Sequence, residues 1–125
     1  MAHNTSHFNV NEFACKCGCG FNIIDQRVID MAETIRTALG VPVRVNSGCR
    51  CVEWNRIQKG VNGSFHTKGL AADLSCSLGP KKLFLTAQKL FLEGKLNDLD
   101  YCILYPWGIH IDCAGKRNHL WEVRL

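Results

Sequence analysis

The stretch Ser64-Phe65-His66-Thr67-Lys68-Gly69-Leu70-Ala71-Ala72-Asp73-Leu74-Ser75 changes character half-way along. From Leu70 onward apolar and small or polar residues alternate: Leu70, Ala72 and Leu74 fall on one face, Ala71 and Asp73 on the other. This period of two predicts a strand over Leu70 to Ser75 with Asp73 pointing away from the core, fed by a loop that carries His66. Upstream, Gly60 to Gly63 reads as a turn-rich loop and Cys51 to Lys59 as a short helix. Val41 to Val45 is β-branched with Pro42 near its beginning, which predicts a short strand closed by a turn at Asn46-Ser47-Gly48. Further back, Ile24, Val28, Met31, Ile35 and Leu39 recur at spacings of three and four between Asp25 and Gly40, the pattern of an amphipathic helix over Ile23 to Leu39.

Downstream, Gly79-Pro80 opens a second long helix that runs to about Leu92, with Leu83, Ala87, Leu90 and Phe91 as its buried stripe and Gly94 at its end. Tyr101 to Tyr105 and Gly108 to Asp112 read as strands separated by Pro106-Trp107, and a closing strand follows around Leu120 to Val123. In the second of these, Ile109 and Ile111 share a face opposite His110 and Asp112. Helices followed by a mostly antiparallel set of strands predict a single small α+β domain, with the helices packed on one face of the sheet.

The size agrees with one core. The chain has 125 residues, 46 % of them hydrophobic and 21 % charged, which excludes a disordered or collagen-like chain. No apolar run approaches the 18 or more residues of a membrane-spanning helix, and Met1 to Ser6 is too polar for the apolar region of a secretion signal. The expectation is a monomer with no membrane span, made in the cytoplasm. A net charge of +4 favours acidic partners, but no basic tract is longer than Lys81-Lys82 or Lys116-Arg117, and no nucleic-acid partner is expected.

Chemistry concentrates on three residues. His66 lies on the loop entering the Leu70 strand and Asp73 on that strand's non-core face, both of types that bind zinc, with the small Gly69 and Ala71 leaving room beside them. His110, on the polar face of another strand, supplies a third ligand. Two imidazoles and a carboxylate leave one position of a tetrahedral zinc open, the arrangement of catalytic rather than structural sites. Zinc there polarises a carbonyl and lowers the pKa of its bound water to about 7, both of which peptide hydrolysis requires. Cys113 near His110 is a formal alternative nucleophile, but nothing in the sequence places a base and an orienting group around it.

Ser47-Gly48-Cys49-Arg50 with Asn55 downstream, the spacing Ser64, His66, Gly69, Ala71 and Asp73, and His110-Ile111-Asp112 together resemble the M15 zinc peptidases. These are the D-alanyl-D-alanine carboxypeptidases and phage endolysins, related in fold to the hedgehog signalling domain. The start, Phe8 with Glu12-Phe13-x-Cys-x-Cys-Gly-Cys, is similar to the short members of that group, so the resemblance spans nearly all of residues 1–125 as one domain, with residues 1–21 as a cysteine-containing arm. It implies that His66, Asp73 and His110 hold zinc and that Arg50 binds a substrate carbonyl or carboxylate and stabilises the oxyanion, a role for which a guanidinium's fixed donors are suited. Ser64 is a substrate-binding candidate, or else caps a turn and orients His66. The implied activity is hydrolysis of a peptide bond in bacterial peptidoglycan, by a carboxypeptidase or an endopeptidase acting at the cell wall, in keeping with a phage or prophage lysis protein.

One departure from the family pattern concerns the general base. Some members place a glutamate three residues before the last ligand and others a histidine two before it; here those positions are Trp107 and Gly108, neither of which moves a proton. Asp112 is the first candidate to take that role, with His119 a second; Asp112 is equally placed to hold an imidazole in one tautomer. The missing base keeps open an alternative, a catalytically inactive zinc-containing binding module of the same fold.

Eight cysteines in so short a chain point to disulfides, a metal site or both. Cys15, Cys17, Cys19, Cys49 and Cys51 come from two segments able to meet, either as one or two disulfides or as a structural zinc site, although Cys-x-Cys-x-Cys departs from the usual zinc-knuckle spacing. Cys76, Cys102 and Cys113 read as reduced, Cys102 as a small core residue.

Overall fold

The structure, a computed structural model, describes residues 2–115 and 120–125. In chain order its elements are α1 (Gln26–Leu39), β1 (Val43–Ser47), α2 (Val52–Ile57), β2 (Ala71–Cys76), α3 (Pro80–Leu92), β3 (Tyr101–Tyr105), β4 (Gly108–Asp112) and β5 (Trp121–Val123). Single 3-10 turns at Val10–Phe13 and Phe65–Lys68 complete the list. The strands form one five-stranded sheet in the order β1-β2-β4-β3-β5, antiparallel except for the β3–β5 pair. This is the expected α+β class with a mostly antiparallel sheet.

Helix α1 forms where its caps allow it. The Asp25 carboxylate accepts the Arg27 backbone N–H at 2.9 Å, and Gly40, at φ 73°, ends the last turn in the left-handed conformation that a side chain would resist. Between these caps Val28, Ile29, Met31, Ala32 and Ile35 are buried. In α3, Pro80 occupies the first turn and Leu83, Phe84, Ala87 and Leu90 are buried. Phe91, expected in that stripe, is only partly buried and meets the Trp121 ring edge-to-face at 5.8 Å, as Phe84 does at 5.6 Å. These two contacts hold β5 against α3.

Both long helices cover the same sheet face, on which Ala72, Leu74, Cys102, Leu104, Ile109 and Ile111 are buried. The short α2 packs beside the 3-10 turn that carries His66, where its Asn55 faces Arg50. The N-terminal arm is more regular than its composition predicts. Asn9 and Glu12 form a reciprocal capping box on the Val10–Phe13 turn, and Phe8 and Phe13 are buried with ring centroids 5.7 Å apart. The arm docks on the loop after β1, where the Cys49 N–H donates to the Phe13 carbonyl at 2.7 Å. Among the described residues no helix is long and apolar enough to cross a membrane.

Candidate metal centre

The register of the sheet lines up the polar face. Ser47 of β1 pairs with Asp73 of β2, Asp73 with His110 of β4, and His110 with Ile103 of β3. Strict alternation from Val43 and Val45, which are buried in the core, would send Ser47 into the core as well. An irregularity between Val45 and Ser47 breaks the period and brings Ser47 opposite Asp73. His66 reaches the same point from the 3-10 turn, whose N-cap is Ser64, its hydroxyl accepting the His66 N–H at 3.3 Å.

His66, Asp73 and His110 converge, with their ligand atoms all within 4.8 Å of one another. His66 Nε2 lies 3.3 Å and His110 Nδ1 3.0 Å from Asp73 Oδ1. A zinc with bonds of about 2.0–2.2 Å holds tetrahedral donors about 3.3–3.6 Å apart, so these three donors fit that ion in both type and spacing. Each imidazole is fixed from behind. The Gly48 carbonyl, which can only accept, lies 2.7 Å from His66 Nδ1 and so sets the proton there, leaving Nε2 as the free donor atom. Asp112 Oδ2 lies 2.9 Å from His110 Nε2 and leaves Nδ1 toward the centre.

Burial here is deep, with His66, Asp73 and His110 each at most 9 % exposed and Asp112 fully enclosed. Burial would raise the Asp73 carboxyl, but the His110 and His66 rings, which donate to it only when both of their nitrogens are protonated, outweigh it and hold the group well below the usual carboxylate range. Burial likewise opposes charge on His110, and the Asp112 and Asp73 carboxylates overcome it, raising the imidazole above its ordinary value.

Arg50 stands across from these donors, its side chain held at three points. Its Nε donates to Ser47 Oγ at 3.0 Å, and its two terminal nitrogens donate to Asn55 Oδ1 and Asp73 Oδ2, each at 3.3 Å. Asn55 itself is anchored on the Val61 carbonyl at 3.0 Å. The centre opens on one side into a cleft of about 600 Å³ whose lining includes Arg50, Lys59, Ser64, Tyr105, Trp107 and Arg124. Trp107 stacks on Tyr105, with centroids 5.1 Å apart and planes 10° from parallel, as an apolar shelf at the rim.

A family model for peptidase M15 matches residues 6–95. The chain belongs to the peptidase M15 family. A search of curated proteins found no match.

As an M15 peptidase the chain is placed among zinc-dependent metallopeptidases. The matched span contains Arg50, Ser64, His66 and Asp73 and ends before His110, so the third donor rests on the geometry above. The structure gathers Arg50, Ser64, His66, Asp73 and His110 around one cleft. It sets Asp112 behind His110, on the nitrogen that faces away from the donor group, a position suited to holding the ring rather than exchanging protons with the cleft. Trp107 of this M15 peptidase lies on the rim, and His119 lies outside the described residues.

Six contributors were assigned no role from the sequence, although Ser47, Gly48 and Asn55 belong to the motif that carries the resemblance: the Ser47 hydroxyl, the Gly48 carbonyl, the Asn55 amide, Lys59, Tyr105 and Arg124. Of the last three, Lys59 alone carried a signal in its surroundings, since it adjoins the Gly60–Gly63 turn; its own φ of 58° is a property of the folded chain. Of the five thiols expected to meet, Cys15, Cys17, Cys19 and Cys51 do, while Cys49 is buried apart with its sulfur 3.8 Å from Asn22 Oδ1. The structure pairs none of the eight cysteines in a disulfide.

Proposed function

We propose that this M15 peptidase hydrolyses a peptide bond in the stem peptides of bacterial peptidoglycan, using one zinc ion held by His66, Asp73 and His110. The observation that carries the reading is the three-donor centre open toward a cleft with a fixed guanidinium opposite. Bound zinc supplies a Lewis acid for the scissile carbonyl and lowers the pKa of a water at its open position. The residues of the chain do the rest. Arg50, splinted by Ser47 and Asn55, presents donors to the substrate oxygen on which negative charge develops. Gly48 and Asp112 hold the two imidazoles in the tautomers that leave His66 Nε2 and His110 Nδ1 free. Ser64 fixes the turn that delivers His66. Trp107 and Tyr105 offer an aromatic surface along which a peptide can lie.

Lys59 and Arg124 join Arg50 in the cleft lining, and three cations beside one engaged carboxylate suit a substrate that ends in a carboxylate. This favours a carboxypeptidase acting on a D-alanyl-D-alanine terminus over an endopeptidase cutting within the stem. Trp107 and Gly108 at the positions of the family's proton-moving residues sustain the second reading, a zinc-containing module that binds without turnover.

Mass spectrometry of muropeptides after incubation of purified peptidoglycan with the protein tests both readings. Release of the terminal residue, abolished by a chelator and by His66→Ala, is the expected result. Internal fragments would replace carboxypeptidase by endopeptidase. No product from zinc-loaded protein on several wall chemotypes would leave the binding module.

A further inference from the structure

We infer that Cys15, Cys17, Cys19 and Cys51 form a second, closed metal site, a tetrathiolate for one structural zinc ion that clamps the N-terminal arm to the loop carrying Arg50. The four sulfurs lie within 4.8 Å of one another, with Cys15 to Cys17 at 3.4 Å and Cys17 to Cys51 at 3.8 Å. Zinc–sulfur bonds of about 2.3 Å place tetrahedral sulfurs about 3.8 Å apart, close to these separations. A disulfide would need about 2.05 Å, and it would gather sulfurs in pairs rather than all four at one point.

The chain is shaped for this gathering. In an extended strand, alternate side chains of a Cys-x-Cys-x-Cys run lie about 6.6 Å apart, too far to share one ion. Here the segment turns instead. The Gly18 N–H donates to the Cys15 carbonyl and the Cys15 N–H to the Phe21 carbonyl, while Gly18 and Gly20 take φ of 86° and 85°, conformations that other residues resist. The unusual spacing is thus compensated by the glycines between and after the cysteines. Cys51 approaches from the other side as the N-cap of α2.

Backbone donors point at the sulfurs. The Cys51 N–H reaches Cys15 Sγ at 3.4 Å, the Trp54 N–H reaches Cys51 Sγ at 3.3 Å, and the Phe21 N–H reaches Cys19 Sγ at 3.4 Å. Such donors offset the negative charge that four thiolates around a divalent ion carry. Four protein ligands leave no open position, so the site is structural rather than catalytic. Its place in the chain gives it a consequence at the cleft: Cys51 follows Arg50 directly and caps the helix whose Asn55 holds the guanidinium.

Metal analysis of the full chain, purified reduced and loaded with zinc, tests the site. Two zinc ions per chain are expected, one remaining in His66→Ala and one remaining in the Cys17→Ser, Cys19→Ser double variant, whose altered residues are exposed. Cobalt substitution of the unaltered protein gives thiolate-to-cobalt charge-transfer absorption, retained in His66→Ala and lost in the cysteine variant. A mercurial reagent releases one zinc from the wild-type protein without any variant being needed. A single zinc that disappears with His66→Ala, absence of the charge-transfer band from the cobalt-loaded wild type, or a non-reduced mass lower by the hydrogens of one or two disulfides would each overturn the site. Failure of the peptidase reading would remove at most the His66-dependent zinc and would leave the cysteine-dependent zinc, the charge-transfer band and the non-reduced mass as they are.

Discussion

At His110 one ring serves two carboxylates. Asp73 faces Nδ1 at 3.0 Å and Asp112 faces Nε2 at 2.9 Å, so the second sets which nitrogen is available to the first carboxylate's neighbours. If Asp112 acts only by holding the ring, Asp112→Asn lowers zinc affinity about 10-fold, and turnover returns when zinc is supplied in excess. Competition with a chromophoric chelator, followed by assay at saturating zinc, measures both; turnover that stays low at full occupancy would assign Asp112 to proton transfer. Arg50 offers a second test at this scale. A Cβ added at Gly60 falls 2.0 Å from Asn55 Oδ1 and 3.1 Å from an Arg50 terminal nitrogen. Gly60→Ala therefore displaces the Asn55 amide that positions the guanidinium. The expected outcome is a fall of about 10- to 100-fold in kcat/KM with zinc content unchanged, since none of the three metal donors is moved.

Among the elements, the arm is the piece whose attachment decides most. Phe13 is fully buried, its carbonyl takes the Cys49 N–H, and a Cβ at Gly48 would meet Phe13 backbone atoms at 2.5 to 2.9 Å. So close an approach is possible only because residue 48 is glycine. Phe13→Ala removes the aromatic anchor and is expected to cost about 3–5 kcal/mol, read as a lowered midpoint in urea denaturation. The long helices and the strands were legible because their apolar spacing follows a single period bounded by clear caps: Asp25 and Gly40 for α1, Gly79-Pro80 for α3. Asp73, His110 and Asp112 were legible for the same reason, since alternation alone assigns them to the non-core face. Ser47 escaped because Asn46-Ser47-Gly48 reads as a turn closing the strand at Val45, whereas β1 continues to Ser47 through a break in its alternation. The arm escaped in part because its 3-10 turn is fixed by a reciprocal pair, Asn9 with Glu12, rather than by periodicity. The Gly48 carbonyl escaped because a backbone acceptor leaves no trace in residue type.

For the molecule as a whole, the arm also reaches back to α1, and that contact makes stability depend on pH. The Glu33 carboxylate accepts the His7 backbone N–H at 2.7 Å, faces His7 Nδ1 at 2.6 Å and accepts the Thr37 hydroxyl at 3.0 Å. Partial burial alone would raise its pKa, but the His7 side chain and backbone and the Thr37 hydroxyl bring it down from 4.5 to about 2. A carboxyl whose pKa is lower in the folded than in the unfolded chain binds fewer protons when folded. Its contribution is therefore complete above pH 4.5 and is lost as the pH falls from there toward 2. Because the His7 side chain is 40 % exposed, solvent screening reduces the worth of the pair, and about 1–2 kcal/mol is expected. Glu33→Gln should be less stable than the wild type by that amount at pH 7. The gap between the two denaturation curves should close as both are carried from pH 5 to pH 2. A gap that stayed constant over that range would mean that Glu33 contributes packing and neutral hydrogen bonds, not charge, to the hold of the arm on α1.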